Sequence, residues 1–360
     1  MENQDNLLTY LKWRGDLKVK DSPFNEIDAL ILCELVYVRF ENIVPTFGED
    51  GSITIAEAAS RYKVSDTKNI LYYAEKEELF LELSRTPRFS EMTLCNYIST
   101  TDTKAQQQFA AMHINIAPNL TFIAFRGTDA TMVGWRENFN MSYMMPVPAQ
   151  QSAVDYINKT AKGIFRKFWL GGHSKGGNLA IYSGMFCNPR IQKKIIKINS
   201  FDGPGFNRTV VNDACYLAIK DRISAFVPVS SIVGMLMEHE EDYQVVESSG
   251  FSLVQHEGLT WRISGTKFEL ADDVNDFSKR LSTTLKQWLD KIEPNERREF
   301  VNAVFQVFEQ AGIENLTDLS NIDIKKAGIL IKSASKVPHE QRELVGKLIK
   351  MLIEASTKKQ

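Results

Sequence analysis

Short apolar runs separated by helical stretches dominate the middle of the chain. Residues 108–116 and 120–125 are rich in apolar and β-branched side chains, and Ala117-Pro118-Asn119 lies between them. That pattern predicts two strands joined by a tight turn. A helix is predicted over 149–162, a strand over 164–170, a helix over 176–186 and a strand over 195–201, the last ending at Asp202-Gly203-Pro204-Gly205. Residues 222–227 and 244–246 read as further strands. Upstream, Asn25-Glu26-Ile27-Asp28 leads into a helical apolar face formed by Ala29, Leu30, Ile31, Leu32, Leu35 and Val36, and a second helix is predicted from about Thr54. Alternation of this kind predicts an α/β fold, a mainly parallel sheet flanked by helices.

Beyond about residue 272 the strands stop. Val274, Phe277, Leu281, Leu285, Trp288 and Ile292 recur at spacings of three and four, and Phe300, Val304, Phe305 and Phe308 and then Leu344, Leu348 and Leu352 continue the theme. Residues 1–270 are therefore expected to form one domain with a helical N-terminal segment, and 271–360 an all-helical C-terminal appendage that either caps the domain or binds a protein partner. The 360 residues suffice for a large α/β domain plus such an appendage.

Composition removes several function classes. A net charge of −2 with 24% charged residues offers no broad field for nucleic acid or anionic membranes, and no nucleic-acid partner is expected. Cys33, Cys95, Cys187 and Cys215 lie far apart without a CxxC pair, which suits buried thiols in a reducing compartment. The start MENQDNLLTYLKWRGD lacks the basic and apolar regions of a signal peptide, and no apolar run approaches the roughly 20 residues of a transmembrane helix. A cytoplasmic protein is expected. Scattered histidines argue against a metal, and Gly171 to Gly177 lacks the Gly-Lys-Ser/Thr ending of a phosphate loop, so no cofactor is expected.

Gly172-His173-Ser174-Lys175-Gly176 carries the chemistry. A G-x-S-x-G run needs a strand before it and a helix after it, because the serine sits on a sharp strained turn. The flanking segments meet both conditions. Ser174 would stand above the sheet edge, with the backbone N–H of Lys175 and the start of the next helix facing a developing oxyanion.

A serine hydroxyl needs a base. Of the five histidines, His113 precedes the nucleophile within a strand, and His173 adjoins Ser174 and points elsewhere. His339 belongs to the helical appendage, and His239 lies in the acidic run Glu238 to Asp242, which reads as a solvated face. His256 follows the last strand-like segment on a late loop and is the candidate base. The acid is expected between the serine and that histidine. Asp202, at the end of the strand after the nucleophile helix, is the first candidate, and Glu238 to Asp242 remain as alternatives.

Gly171 to Ala180 resembles the nucleophile segment of class 3 (fungal-type) lipases, and Phe125-Arg126-Gly127-Thr128-Asp129 with Trp135 resembles their oxyanion loop. That resemblance implies that Thr128 supplies a hydroxyl to the oxyanion beside Lys175. The whole pattern is more closely similar to the bacterial Mbeg1-like family. Its matching pieces are Tyr10-Leu11-Lys12-Trp13-Arg14-Gly15-Asp16, Pro23 to Asp28, Phe201 to Phe206, Ser231 to Leu236, and Gln255-His256 with Trp261, spanning roughly residues 7 to 265. Class 3 lipases place their acid after the strand read here at 222–227, where this chain has Pro228-Val229-Ser230-Ser231. An acid at Asp202, one strand earlier, is similar to the arrangement in pancreatic-type lipases.

The expected function is that of a serine hydrolase, esterase- or lipase-like, acting on a small-molecule acyl ester or thioester. Residues 141–147 and 232–237 are expected to line an acyl pocket or simply to pack. The rival expectation is a non-catalytic α/β-hydrolase-fold module that binds a partner through its helical tail.

Overall fold

Nine strands form one sheet in a computed structural model that describes residues 5–64 and 72–315, with the further positions 318, 329, 330 and 332. The strands are β1 (Ile53–Thr54), β2 (Thr93–Asp102), β3 (Gln107–Ala117), β4 (Leu120–Phe125), β5 (Lys167–His173), β6 (Ile195–Phe201), β7 (Ile223–Pro228), β8 (Tyr243–Val246), β9 (Ile263–Ser264), β10 (Lys267–Phe268) and β11 (Leu270–Ala271). The sheet runs β1-β2-β3-β4-β5-β6-β7-β8-β11, while β9 and β10 pair separately. From β4 to β8 every pairing is parallel. The β2–β3–β4 meander and the two edge pairings, β1 with β2 and β11 with β8, are antiparallel.

The helices are α1 (Leu7–Arg14), α2 (Glu26–Leu35), α3 (Ile55–Arg61), α4 (Tyr73–Leu83), α5 (Met132–Asn140), α6 (Pro148–Thr160), α7 (Lys175–Phe186), the one-turn α8 (Pro189–Gln192), α9 (Arg208–Val211) and α10 (Ala214–Leu217), then α11 (Asp276–Lys291) and α12 (Pro294–Gln310). Side-chain alternation along the strands separates two cores. Phe122 and Ala124 of β4 and Trp169 of β5 face α2 and the N-terminal helices, whereas Ile123, Phe125, Phe168 and Leu170 face α6 and α7. Strands covered on both faces must be apolar almost continuously, which is why β4 through β7 stand out in the sequence.

The strand expected at 164–170 is displaced. Leu120 pairs with Lys167, so 164–166 have no neighbour, and Ile164 and Phe165 are exposed. At its other end β5 continues through Gly171-Gly172, residues that look like a turn but leave room for helices on either face. Cys33 and Cys187 are buried, as expected, whereas Cys95 and Cys215 are only half-buried; none of the four is in a disulfide. The acidic run is not a solvated face throughout: Glu241 is buried and accepts hydrogen bonds from Tyr216 and the His239 ring.

Both C-terminal helices pack on segments near the sheet's carboxyl edge. Phe300, Val304, Phe305 and Phe308 of α12 share a core with Ala130 and Met132, and Arg136 of α5 reaches Asn302 and Glu309. Asn275, just before α11, donates its N–H to the Val229 carbonyl, and Ser282 within α11 donates to that of Met235. Phe277 is more than half exposed, so it does not join the apolar face read for that helix. Leu344, Leu348, Leu352 and His339 lie outside the described residues. No helix among the described residues is long and apolar enough to cross a membrane.

Burial gives two histidines a pH signature. Burial, reinforced by Arg166, pushes the pKa of His113 down to about 3. Burial, reinforced by His256, takes His173 to about 3 as well. The unfolded chain binds a proton at each below about pH 6.5, while the folded chain does not until about pH 3. Stability is therefore full above 6.5 and falls as pH drops through that window. His113 Nε2 meets the Thr160 hydroxyl at 3.0 Å, and that hydroxyl donates to the Tyr156 carbonyl, so Nε2 carries the proton. His113→Gln keeps a donor there and is expected to remove about 2–3 kcal/mol of the stability lost between pH 7 and 4.5. Urea unfolding at both pH values checks this; an unchanged pH dependence contradicts it.

Candidate active site

Ser174 stands between β5 and α7 with φ 57° and ψ −133°, a backbone conformation costly for a residue with a Cβ. The turn closes because its flanks are glycine: a Cβ on Gly172 would collide with the Gly176 backbone, and one on Gly176 with the Phe125 carbonyl. Gly127 lets the 125–129 loop approach the same turn, since a Cβ there would strike the Tyr37 hydroxyl and the His173 carbonyl. Ser174 is 6% exposed and lines a cleft open to solvent.

Asp202 follows β6 in the left-handed region, at φ 50°, and is wholly buried. Its Oδ2 lies 2.6 Å from His256 Nδ1, and its Oδ1 accepts from the Ser231 hydroxyl at 2.5 Å and the Gly234 N–H at 3.0 Å. With every partner donating, the ionised carboxylate is the matched form and Nδ1 of His256 carries the proton. Nε2 is then the nitrogen left to accept one. His256 lines the same cleft as Ser174, its side chain 22% exposed. Burial works against charging His256, yet the hydrogen bond and charge of Asp202, with the charges of Glu257 and Glu34, outweigh it and hold the pKa above the usual 6.5.

Ser231 occupies the stretch after β7 where class 3 lipases carry their acid. It serves the carboxylate that arrives from β6 instead. Two of the alternative acids are otherwise engaged: Glu238 pairs with Lys286 and Arg208, and Glu241 with Tyr216 and His239. None of them lines the cleft.

Lys175 begins α7, where a backbone N–H has no intrahelical acceptor. Its side chain runs away from the cleft and is buried, donating to Glu137 at 2.6 Å and to the Gln108 carbonyl at 2.7 Å. Glu137 also accepts the N–H groups of Gln108 and Ala149, so one ion pair ties the Ser174 turn to β3, α5 and α6. Breaking a buried pair leaves an uncompensated charge. Lys175→Met is expected to cost about 3–5 kcal/mol in urea unfolding, and the double variant with Glu137→Gln less than the single one. A single variant as stable as wild type contradicts this.

Thr128 lines the cleft and donates its hydroxyl to Asn138 Oδ1 at 2.8 Å. Turning over the Asn138 amide makes Nδ2 the donor and releases the Thr128 proton toward the cleft. Trp135, Asn138 and Asp129 join the lining from the loop and α5. Val233 also lines it and, among the described residues, is the sole contribution from the apolar stretches 141–147 and 232–237. Tyr37, Lys76 and Glu257 line it too and have no sequence signal as site residues, because buried charge is a product of packing. Ser231 and Gly234 do have one, in the segment 231–236 that resembles the Mbeg1-like family. Among the described residues no cluster of three or more His, Cys, Asp or Glu is disposed to hold a metal.

A family model described as Mbeg1-like matches residues 83–306. Among solved structures, the chain is similar to M37 lipase, with a TM-score of 0.33 and 18% identity over 49% of this chain and 66% of that one. It is similar to the Rhizomucor miehei lipase propeptide complex with a TM-score of 0.31 and 14% identity, covering 51% of this chain and 64% of the other. Lip2 lipase from Yarrowia lipolytica gives 0.32 and 10%, covering 52% and 76%. The chain thus spans slightly less than two thirds of the first two. No curated protein matches the sequence.

Proposed function

For a chain that belongs to the Mbeg1-like family, we propose the function of a serine hydrolase that cleaves a carboxylic ester or thioester through an acyl-enzyme on Ser174. The observation that carries this reading is the 2.6 Å contact between Asp202 and His256 in the cleft that also holds the strained Ser174.

Ser174 Oγ attacks the carbonyl carbon while His256 Nε2 takes its proton. Asp202 holds the tautomer that makes Nε2 the acceptor and balances the imidazolium that forms. The carbonyl oxygen, now negative, receives hydrogen bonds from the Lys175 N–H and the Thr128 hydroxyl, each donor contributing roughly 10²–10³ in rate. Collapse expels the alcohol or thiol, which leaves with the proton from His256. Water then attacks the acyl-enzyme with His256 again as base, releasing the acid and restoring Ser174.

Stopped-flow hydrolysis of p-nitrophenyl esters tests the reading: a burst of nitrophenolate equal to the enzyme concentration is expected where deacylation is slower than acylation. Folded protein that turns over neither oxygen esters nor thioesters overturns it.

A further inference from the structure

Beside the cleft lies a second set of charged groups to which the proposed chemistry gives no part. Lys76 of α4 is 2% exposed and donates to Glu34 Oε2 of α2 at 2.5 Å and to Glu257 Oε2 at 3.0 Å. Its ammonium also lies 4.7 Å from the centre of the Tyr37 ring. Tyr37 reaches His173 Nδ1 at 3.2 Å, and His173 Nε2 lies 2.6 Å from the backbone carbonyl of His256. A carbonyl can only accept, so Nε2 of His173 carries the proton and Nδ1 accepts from the tyrosine. That ring is neutral, with its pKa lowered to about 3 by burial and by His256. The chain of contacts therefore ends on the loop of His256 at two adjacent residues: the carbonyl of His256 itself and the carboxylate of Glu257.

Two carboxylates against one ammonium leave the trio with one net negative charge. The His173 and His256 rings lie 4.7 Å apart, and Glu34 Oε1, which has no hydrogen-bond partner among the described residues, lies 3.7 Å from His173 Nδ1. The charged or titratable groups around His256 are Asp202 after β6, His173 of β5, Glu34 of α2 and Glu257 on its own loop, with Lys76 of α4 bonded to both glutamates and Tyr37 and Asp129 lining the same cleft.

We infer that Glu34 and Lys76 of the N-terminal helices and Glu257 of the His256 loop, acting with Tyr37 and His173, are positioning residues for the base: they fix the loop of His256 and place a net negative charge beside its imidazolium. Glu34, Tyr37 and Lys76 precede residues 83–306, the span of the family match, so this device joins the N-terminal helices to the site. The inference rests on His256 being the catalytic base. It assigns the net charge a purpose that an apolar or charge-neutral surrounding would not serve, because a negative charge beside His256 favours the imidazolium that forms when Ser174 gives up its proton.

The test is the protonation of His256, followed by ¹⁵N NMR of the imidazoles in the full chain, beside the pH dependence of Ser174 labelling by a fluorophosphonate. Glu257→Gln and Glu34→Gln each remove the net charge and are expected to lower the His256 inflection by about one pH unit. The acid limb of labelling moves with it. Lys76→Arg keeps the charge and is expected to leave the inflection in place. A structural anchor alone would lower the melting temperature without moving the inflection. That result in both carboxylate variants overturns the inference. An inflection that moves in a chain whose Ser174 is never labelled supports the charge device and overturns the catalytic reading instead.

Discussion

Ser174→Ala will lower ester turnover by about 10⁶-fold, the scale seen when the nucleophile of such a triad is removed. The expected loss is nearly complete because no neighbouring group is set to replace Oγ: the Thr128 hydroxyl is the proposed oxyanion donor, the Tyr37 hydroxyl is bonded to His173, and no cysteine lines the cleft. Ser174 makes no cap hydrogen bond to α7 and its side chain is not part of either core, so the variant is expected to unfold at a urea concentration close to that of wild type. Steady-state kinetics with an activated ester and urea unfolding on the same preparations measure both halves. Residual turnover within a hundredfold of wild type would place the chemistry elsewhere.

Asp202→Asn tests the proposed partner of the proposed base. The asparagine can keep one oxygen for Ser231 and Gly234, which leaves its NH₂ facing His256 Nδ1. A donor there forces the proton of the imidazole onto Nε2, the nitrogen that has to accept from Ser174. The expected loss in kcat is about 10⁴-fold with little change in KM. Measured at a pH well above the His256 inflection, the loss should persist, because the wrong tautomer and not a protonated ring is responsible. A loss that disappears at high pH would make Asp202 a charge partner alone. A loss below tenfold would remove it from the site.

The strands that bury both faces were legible from their composition where it is largely apolar, as in β4 and β7. What was missed lies where one face is wet or where charge is buried. β2 reads Thr93-Leu94-Cys95-Asn96-Tyr97-Ile98-Ser99-Thr100-Thr101-Asp102, too polar to declare itself, and it pairs along β3 with an irregularity between Cys95 and Ile98. α4 carries Glu75, Lys76, Glu77 and Glu78 in succession, which reads as a solvated surface, yet Lys76 and Glu77 are buried. α5 was missed for another reason: Trp135 and Asn138 were placed by the resemblance to an oxyanion loop or not at all, and their helix is held by contacts with α12 far along the chain.

The candidate site divides the same way. Ser174, Asp202 and His256 were legible because each sits at the carboxyl end of a strand or on a late loop, positions the α/β pattern exposes. The geometry adds that Asp202 and His256 meet directly. Lys175 was named for its backbone, and nothing in the motif announced that its ammonium is buried against Glu137. The Glu34, Lys76 and Glu257 trio was invisible for a plainer reason. Its members lie 42 and 181 residues apart along the chain, and only folding brings them together.

Intact mass after exposure to a fluorophosphonate, with Ser174→Ala alongside, tests the central claim most directly, because labelling needs an activated serine and no knowledge of the substrate. The account predicts a single adduct on the wild-type chain and none on the variant. No adduct on folded wild-type protein, or an adduct that survives in Ser174→Ala, would contradict it.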